Sequence, residues 1–172
     1  DAYLDTPWEL HKNMVDINVV ALMHLSHLYG NEMKKRRKGR ILNVASVAAF
    51  SAGPYMSVYY ASKAFVFSLS QAMYEELKGY GVSVTALCPG PTGTNFENTA
   101  GLTNSKMFKV FGVEKADSVV KRGYKGMMRG KAIVYHSKVT YGFNIITRLV
   151  SRKCARNIAG RINRSEEHTS EL

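Results

Sequence analysis

Apolar side chains recur with a helical period in four stretches of the chain. In the first stretch one face carries the apolar residues Leu10, Met14, Ile17, Ala21, Leu25 and Leu28, which predicts a helix over residues 7–33. Thr6 suits the N-cap of this helix and Pro7 its first helical position, while Glu9 completes a capping box. The same period predicts helices over residues 58–79, 114–129 and 138–163.

Short apolar, β-branched runs between the helices predict buried strands over residues 40–45, 82–88 and 132–135. Residues 91–113 are predicted to be a long loop. Helices alternating with strands over short links indicate parallel strands and right-handed crossovers. The fold class is therefore α/β, a doubly wound parallel sheet. Such a sheet binds ligands beyond the carboxyl ends of its strands, here at Ser46 and at Pro89-Gly90.

Composition narrows the class of protein. The 172 residues are 45% hydrophobic and 22% charged, which is typical of one soluble globular domain. No apolar run reaches the roughly 18 residues of a membrane span. Two cysteines, Cys88 and Cys154, provide neither a disulfide framework nor a zinc site, so no metal is predicted. They suit a reducing compartment, and we expect a cytoplasmic protein.

Four polar residues are spaced for carbonyl chemistry. Asn18 lies on the first helix, Ser46 ends the first strand, and Tyr59 and Lys63 lie four residues apart, on one face of the second helix. A tyrosine with a pKa near 10 can deliver a proton to a carbonyl being reduced, and a nearby ammonium favours tyrosinate for the reverse reaction. Ser46 can hydrogen-bond the substrate oxygen. A second Tyr-x-x-x-Lys pair, Tyr74 and Lys78, is interpreted as a chance occurrence, because it lies far from the strand end.

The chain resembles the classical short-chain dehydrogenase/reductase family over nearly all of residues 1–163, and three motifs carry the resemblance. They are Asn43-Val44-Ala45-Ser46, Tyr59-Tyr60-Ala61-Ser62-Lys63 and Pro89-Gly90-Pro91-Thr92-Gly93-Thr94. The resemblance implies a Rossmann-like fold and an NAD(P)(H)-dependent oxidoreductase acting on a ketone or secondary alcohol.

The resemblance also implies a role for each matching residue. Tyr59 would be the general acid/base, Lys63 would bind the nicotinamide ribose and lower the Tyr59 pKa, and Ser46 would orient the substrate carbonyl. Asn18 would hold a water that links Lys63 to solvent. The Pro89-Gly90 turn would support the nicotinamide, with Thr92 and Thr94 near its carboxamide and phosphate.

The sequence departs from the family in lacking a Gly-rich, phosphate-binding turn. Residues 1–163 are therefore expected to form the C-terminal portion of a Rossmann-like domain whose N-terminal βαβ units are missing, and the fragment alone is expected to be inactive. The cofactor would be NADP or NAD, with a slight preference for NADP. The family resemblance further implies a homo-oligomer built on helices 7–33 and 58–79.

Other features leave alternatives open. The loop contains Phe96, Leu102, Met107, Phe108, Val110 and Phe111, which either cover a lipophilic substrate or pack on the fold. The net charge of +11 raises the question of an anionic partner, but the basic run 34–38 is interpreted as a solvated loop and no nucleic acid is expected. The basic helix 138–163 could lie on a membrane surface, although packing on the sheet or on a second subunit is preferred.

Two other functions remain alternatives to the dehydrogenase. One is a non-catalytic dinucleotide-fold scaffold or membrane-surface protein, and the other is a related epimerase or dehydratase. Residues 164–172 resemble the translation of a sequencing adapter and are interpreted as an artefact.

Overall fold

The computed structural model describes residues 2–93 and 112–164. Its helices are α1 (Trp8–Val15), α2 (Leu22–Lys35), α3 (Ser57–Leu77), α4 (Ala116–Met128), α5 (Lys138–Leu149) and α6 (Arg152–Asn163). A π-helical turn, Asp16–Ala21, joins α1 to α2. Short 3-10 helices cover Val47–Phe50 and Lys78–Tyr80.

The strands are β1 (Gly39–Val44), β2 (Val82–Cys88), β3 (Thr92–Gly93), β4 (Glu114–Lys115) and β5 (Ile133–Tyr135). A parallel sheet has the order β1-β2-β5, and its register pairs Val44 with Leu87 and Cys88 with Tyr135. Strands β3 and β4 form a separate parallel pair. The predicted α/β fold with a parallel Rossmann-like sheet is confirmed.

The central strand β2 is buried on both faces. Successive side chains of a strand point to opposite faces, so Cys88 packs with Val66 of α3 while Leu87 packs with Val119 of α4. Helix α4 approaches closely because it carries Gly123 and Gly126, where a Cβ would collide with side chains of the sheet. Helices therefore cover both faces of the sheet, as a doubly wound fold requires.

Two predictions about the first helix were wrong, that of its N-terminal cap and that of its buried face. Pro7 is the N-cap residue and provides no side-chain cap, and the Thr6 hydroxyl donates instead to the Ala2 carbonyl at 3.0 Å. The predicted apolar stripe is largely exposed to solvent, and Ile17, for example, is 69% exposed. Buried positions are Ser26 and Gly30, because small residues let α2 lie close to α3 and the sheet.

The predicted single helix over residues 138–163 was also wrong. It is two helices, α5 and α6, because Val150 adopts an extended conformation with ψ 157°. Ser151 then caps α6 by accepting a hydrogen bond from the Cys154 amide at 3.2 Å. The break changes which face is buried, so that Ala155, Ala159 and Asn163 face the core while Cys154 is exposed.

Within residues 2–93 and 112–164, no helix is long and apolar enough to cross a bilayer. The same ranges contain no group of three or more side chains placed to hold a metal ion.

Candidate active site

Ser46 lies just beyond the carboxyl end of β1, in an extended conformation with φ −173°. The backbone around it follows β2, since the Ala45 amide donates to the Leu87 carbonyl at 2.8 Å and the Val47 amide to the Pro89 carbonyl at 3.0 Å. The Ser46 hydroxyl is buried and accepts from the Ala48 amide at 3.1 Å. Ser46 is thus held beside the Pro89-Gly90 turn with its own proton available to a neighbour.

Tyr59 lies in the first turn of α3, and the Ser46 side chain lies near enough to its phenol to lower the Tyr59 pKa. Burial has the larger effect and raises the pKa of Tyr59, while the Ser46 hydroxyl opposes the rise by stabilising the phenolate. The phenol is therefore protonated at neutral pH. Ser46 at the end of β1 and Tyr59 at the start of α3 thus lie near each other.

Lys63 lies one turn after Tyr59 on the same helix. Its Nζ is 5.8 Å from the centroid of the Tyr59 ring and donates to the Val44 carbonyl at 3.1 Å. Burial lowers the pKa of the Lys63 ammonium. An ammonium carries three donors, so two remain for a further ligand beyond this bond.

Asn18 is part of the π-helical turn between α1 and α2. π-Helical turns occur frequently at functional sites. The Asn18 amide donates to the Ser62 hydroxyl at 3.1 Å, and that hydroxyl donates to the Tyr59 carbonyl at 2.8 Å. Asn18 is thereby connected to the turn of α3 that carries Tyr59 and Lys63. The predicted water link to Lys63 stays a prediction.

The predicted cofactor residues after β2 are only partly described. Pro89 and Gly90 continue from the end of β2, and the Thr92 hydroxyl donates to the Gly90 carbonyl at 3.1 Å. The Pro91 carbonyl accepts from the Glu114 amide at 2.9 Å, which fixes the turn against β4. Thr94 and the apolar loop residues from Phe96 to Phe111 lie outside the described residues.

The second Tyr-x-x-x-Lys pair lies at the other end of the sheet. Tyr74 and Lys78 line a groove with Gly39 and Val82, the first residues of β1 and β2. Lys78 is exposed and forms an ion pair with Glu75. This pair therefore lies at the amino ends of β1 and β2, away from Ser46.

Sequence reasoning missed a contact behind Tyr59. The buried Tyr60 hydroxyl donates to Asn163 Oδ1 at 3.0 Å, and Asn163 Nδ2 donates to the Pro54 carbonyl at 3.1 Å. Tyr60 also packs with Ala48 and Ala159. The last turn of α6 is thus attached to the helix turn that holds Tyr59. No local pattern links residues separated by 103 positions, so only the fold could reveal this contact.

Known dehydrogenases are similar to this chain in sequence. A family model described as short chain dehydrogenase matches residues 4–100. The 7beta-hydroxysteroid dehydrogenase of Collinsella aerofaciens is 36% identical over 52% of this chain and 34% of its own length. The mouse 17-beta-hydroxysteroid dehydrogenase type 3 is 34% identical over 72% of this chain and 37% of its own length. The chain thus spans about a third of the length of these curated relatives.

Solved structures share the fold. A short-chain dehydrogenase from Sphingobium yanoikuyae in complex with NADPH is 26% identical, with a TM-score of 0.73 over 87% of this chain and 58% of that chain. A 7beta-hydroxysteroid dehydrogenase structure has a TM-score of 0.77 over 92% of this chain and 61% of that one. At 22% identity the second likeness concerns the fold alone.

Proposed function

The chain belongs to the short-chain dehydrogenase family, and on this premise we propose that the intact protein is an NAD(P)(H)-dependent carbonyl reductase or alcohol dehydrogenase. The observation that carries the proposal is that Lys63 Nζ lies 5.8 Å from the centroid of the Tyr59 ring, with the Ser46 hydroxyl near enough to the phenol to lower its pKa. These groups lie at the carboxyl ends of β1 and β2, where open α/β sheets bind their ligands.

The residues divide the chemistry between them. Ser46 donates a hydrogen bond to the substrate oxygen and holds it against Tyr59. Tyr59 gives its phenolic proton to that oxygen as the carbonyl is reduced. Because burial keeps the Tyr59 pKa high, the phenol is the prevailing form at neutral pH and suits reduction. Alcohol oxidation requires the phenolate, which the Ser46 hydroxyl favours.

The described residues fit the nicotinamide half of the cofactor. The Lys63 ammonium has two donors beyond its bond to Val44, suited to ribose hydroxyls, and the Pro89-Gly90 turn and Thr92 lie at the neighbouring strand end. The bound cofactor supplies the hydride. For the phosphates the family uses a Gly-rich turn, and this sequence contains none. NADP remains the slightly preferred choice over NAD.

The proposed substrate is a lipophilic ketone or secondary alcohol. The names of the bacterial and mouse relatives support a hydroxysteroid-like size and polarity. A solved relative from Comamonas testosteroni is named a bulky-bulky ketone specific alcohol dehydrogenase and has a TM-score of 0.67. At 23% identity that likeness supports the fold, and its substrate is a suggestion only for the screening panel.

The decisive experiment replaces Tyr59 with Phe in the intact protein. Turnover is measured with NADPH and NADH on a panel of steroidal, fatty-acyl and small ketones. Loss of the proton donor is expected to lower kcat by about 10²- to 10⁴-fold. Circular dichroism should be unchanged, since the ring and its packing remain.

Tyr74→Phe is the matched control, because it removes a hydroxyl from the same helix in the second Tyr-x-x-x-Lys pair. Its kcat should stay within about twofold of the wild type. If Tyr59→Phe retains full turnover, the assigned acid is wrong. If the wild-type protein reduces no member of the panel with either cofactor, a non-catalytic scaffold becomes the better interpretation.

A further inference from the structure

The chain is strongly asymmetric in charge. From Ser118 to Arg164 there are twelve Lys and Arg residues and no Asp or Glu. Half of the 24 cationic side chains of the protein therefore lie in this one segment without a carboxylate of their own. The positive electrostatic potential of such a segment attracts anions to the protein surface.

Part of this segment encloses a cleft. The cleft lies between α4, the strand β5 and the start of α5, and has a volume of about 1010 Å³. Helix α4 contributes Lys121, Arg122 and Lys125 to its lining, and Arg129, the C-cap residue of α4, adds a fourth cation. Three more cations flank the cleft, at Lys115, Lys131 and Lys138. The cleft thus presents seven positive charges against one lining carboxylate, that of Asp117.

These charges are not neutralised within the described part of the chain. In residues 2–93 and 112–164, none of the seven cations forms an ion pair. The nearest alternative acid, Glu114, is only 10% exposed and pairs with the ring of His136. The other ring nitrogen of His136 lies 3.0 Å from the Ser118 hydroxyl, and Arg122 donates to the His136 carbonyl. The Glu114 carboxylate is therefore paired with His136 and does not neutralise the cations of the cleft.

Clustering these cations has a cost. Lys121 and Lys125 lie four residues apart on α4, and Arg129, its C-cap residue, follows four residues later. Like-charged side chains at this spacing repel each other and destabilise a helix. A bound anion would remove the repulsion, so the arrangement suits a ligand better than it suits the free helix.

We propose that this cleft is a binding site for a soluble polyanion of the oligophosphate class, carrying three or more negative charges. Arg122 and Arg129 offer planar forks of donors for phosphate oxygens, Lys121 and Lys125 offer point charges, and Ser118 and Ser137 line the same space. The volume is at the upper end of the range for small-molecule sites. This inference does not rest on the proposed dehydrogenase activity.

The position of the cleft favours this occupant over two others. It lies at the β5 edge of the sheet, opposite β1, and so apart from Ser46 and Tyr59. A second copy of the chain at this edge would bring seven cations against seven more, which like-charge repulsion opposes. A membrane is broad and flat, whereas the cations here line a concave surface.

The test measures binding of inorganic tripolyphosphate to the intact protein by isothermal titration calorimetry. The cleft variant is Lys121→Gln/Lys125→Gln/Arg129→Gln. The matched control is Arg152→Gln/Lys153→Gln/Arg156→Gln, which removes the same charge from α6 in the same acid-free segment. We expect the cleft variant to bind at least about tenfold more weakly and the control to bind within about threefold of the wild type. Wild-type affinity should fall as NaCl rises from about 50 mM to about 500 mM.

Equal weakening of both variants would overturn the site, because it would mean that only the overall positive field matters. Unchanged binding by the cleft variant would overturn it as well. A single reversal, Lys125→Glu, guards against a folding defect in the triple variant and should weaken binding more than Lys125→Gln does.

Two further measurements separate the other occupants. Co-sedimentation with phosphatidylcholine vesicles containing about 30% phosphatidylserine tests a membrane. Analytical ultracentrifugation tests a second copy. If the cleft variant loses vesicle binding or changes its oligomeric state while its tripolyphosphate affinity is unaltered, the cleft serves that partner and the soluble polyanion is ruled out.

Discussion

Cys88 and Cys154 have opposite environments. Cys88 ends β2 and is fully buried against α3, whereas Cys154 is exposed on α6. Burial raises the pKa of the Cys88 thiol to about 12. Thiolate, and not thiol, is the reactive form, so Cys88 should be inert in the folded protein.

We therefore expect iodoacetamide at about pH 8 to modify Cys154 but not Cys88 in the native protein. Both should react after denaturation in urea, and mass spectrometry of the peptides measures each. Cys154→Ser should leave a native protein with no rapidly reacting thiol. Rapid native alkylation of Cys88 would contradict the burial of the β2 end.

Tyr60 shows how one hydroxyl can attach a distant element. Its donor bond to Asn163 and the Asn163 bond to Pro54 join the last turn of α6 to the start of the α3 region, next to the bonds that the Arg164 side chain donates to the Tyr55 hydroxyl. Gly53 lies so close that a Cβ there would collide with the Tyr60 ring. The ring is therefore fixed from two sides, immediately beside Tyr59.

Among the helices, a prediction can be made for α6 and its contact with Tyr60. Tyr60→Phe keeps the ring but leaves Asn163 Oδ1 without its buried donor, which should lower the free energy of unfolding by about 1–3 kcal/mol. Urea denaturation of the intact protein measures the loss. Tyr124→Phe is the control, since that side chain is 55% exposed and its hydroxyl makes no described hydrogen bond. If the two variants are equally stable, α6 does not stabilise α3 through this contact.

The connection between α5 and α6 shows that a helical period of apolar residues does not by itself locate the ends of helices. The apolar residues from Phe143 to Ile162 follow a helical period through Val150, yet the chain turns there and restarts at the Ser151 cap. Serine was a visible capping signal, but a cap inside a periodic run competes with helix continuation. Packing of Ala155 and Ala159 against the core decides the outcome.

For the molecule as a whole, the main sheet of the described residues has three parallel strands. Large apolar side chains remain exposed on α1, on the π-helical turn and on α2, including Trp8, Ile17 and Leu25. The predicted homo-oligomer on helices 7–33 and 58–79 would cover part of this surface and stays a prediction, as does the cytoplasmic location.

Residues 1–172 alone should not bind NADPH tightly or turn over. They hold the groups suited to the nicotinamide half, but the sequence lacks a Gly-rich turn for the phosphates. Fluorescence titration of NADPH should show no saturation below about 100 µM, whereas the intact protein should saturate. Saturable micromolar binding by the 172 residues would contradict this division of the site.

The amino-acid pattern alone predicts the order of the helices and strands, the parallel sheet, and the elements that carry Ser46, Tyr59 and Lys63. It can do so because the apolar period, the strand ends and a four-residue helical spacing are local properties of the chain. Ser46 follows a strand end, and Tyr59 and Lys63 lie in the first two turns of α3, where the direction of a side chain follows from the backbone.

Tertiary packing set which face of each helix is buried, the separation of α5 from α6, and the contact of Asn163 with Tyr60. It also brought cations of β4, α4, α5 and the turn between α4 and β5 into one cleft. These features depend on packing between segments far apart in the chain, whose free energy is not contained in any local window. Long-range contacts override the local period wherever the two disagree.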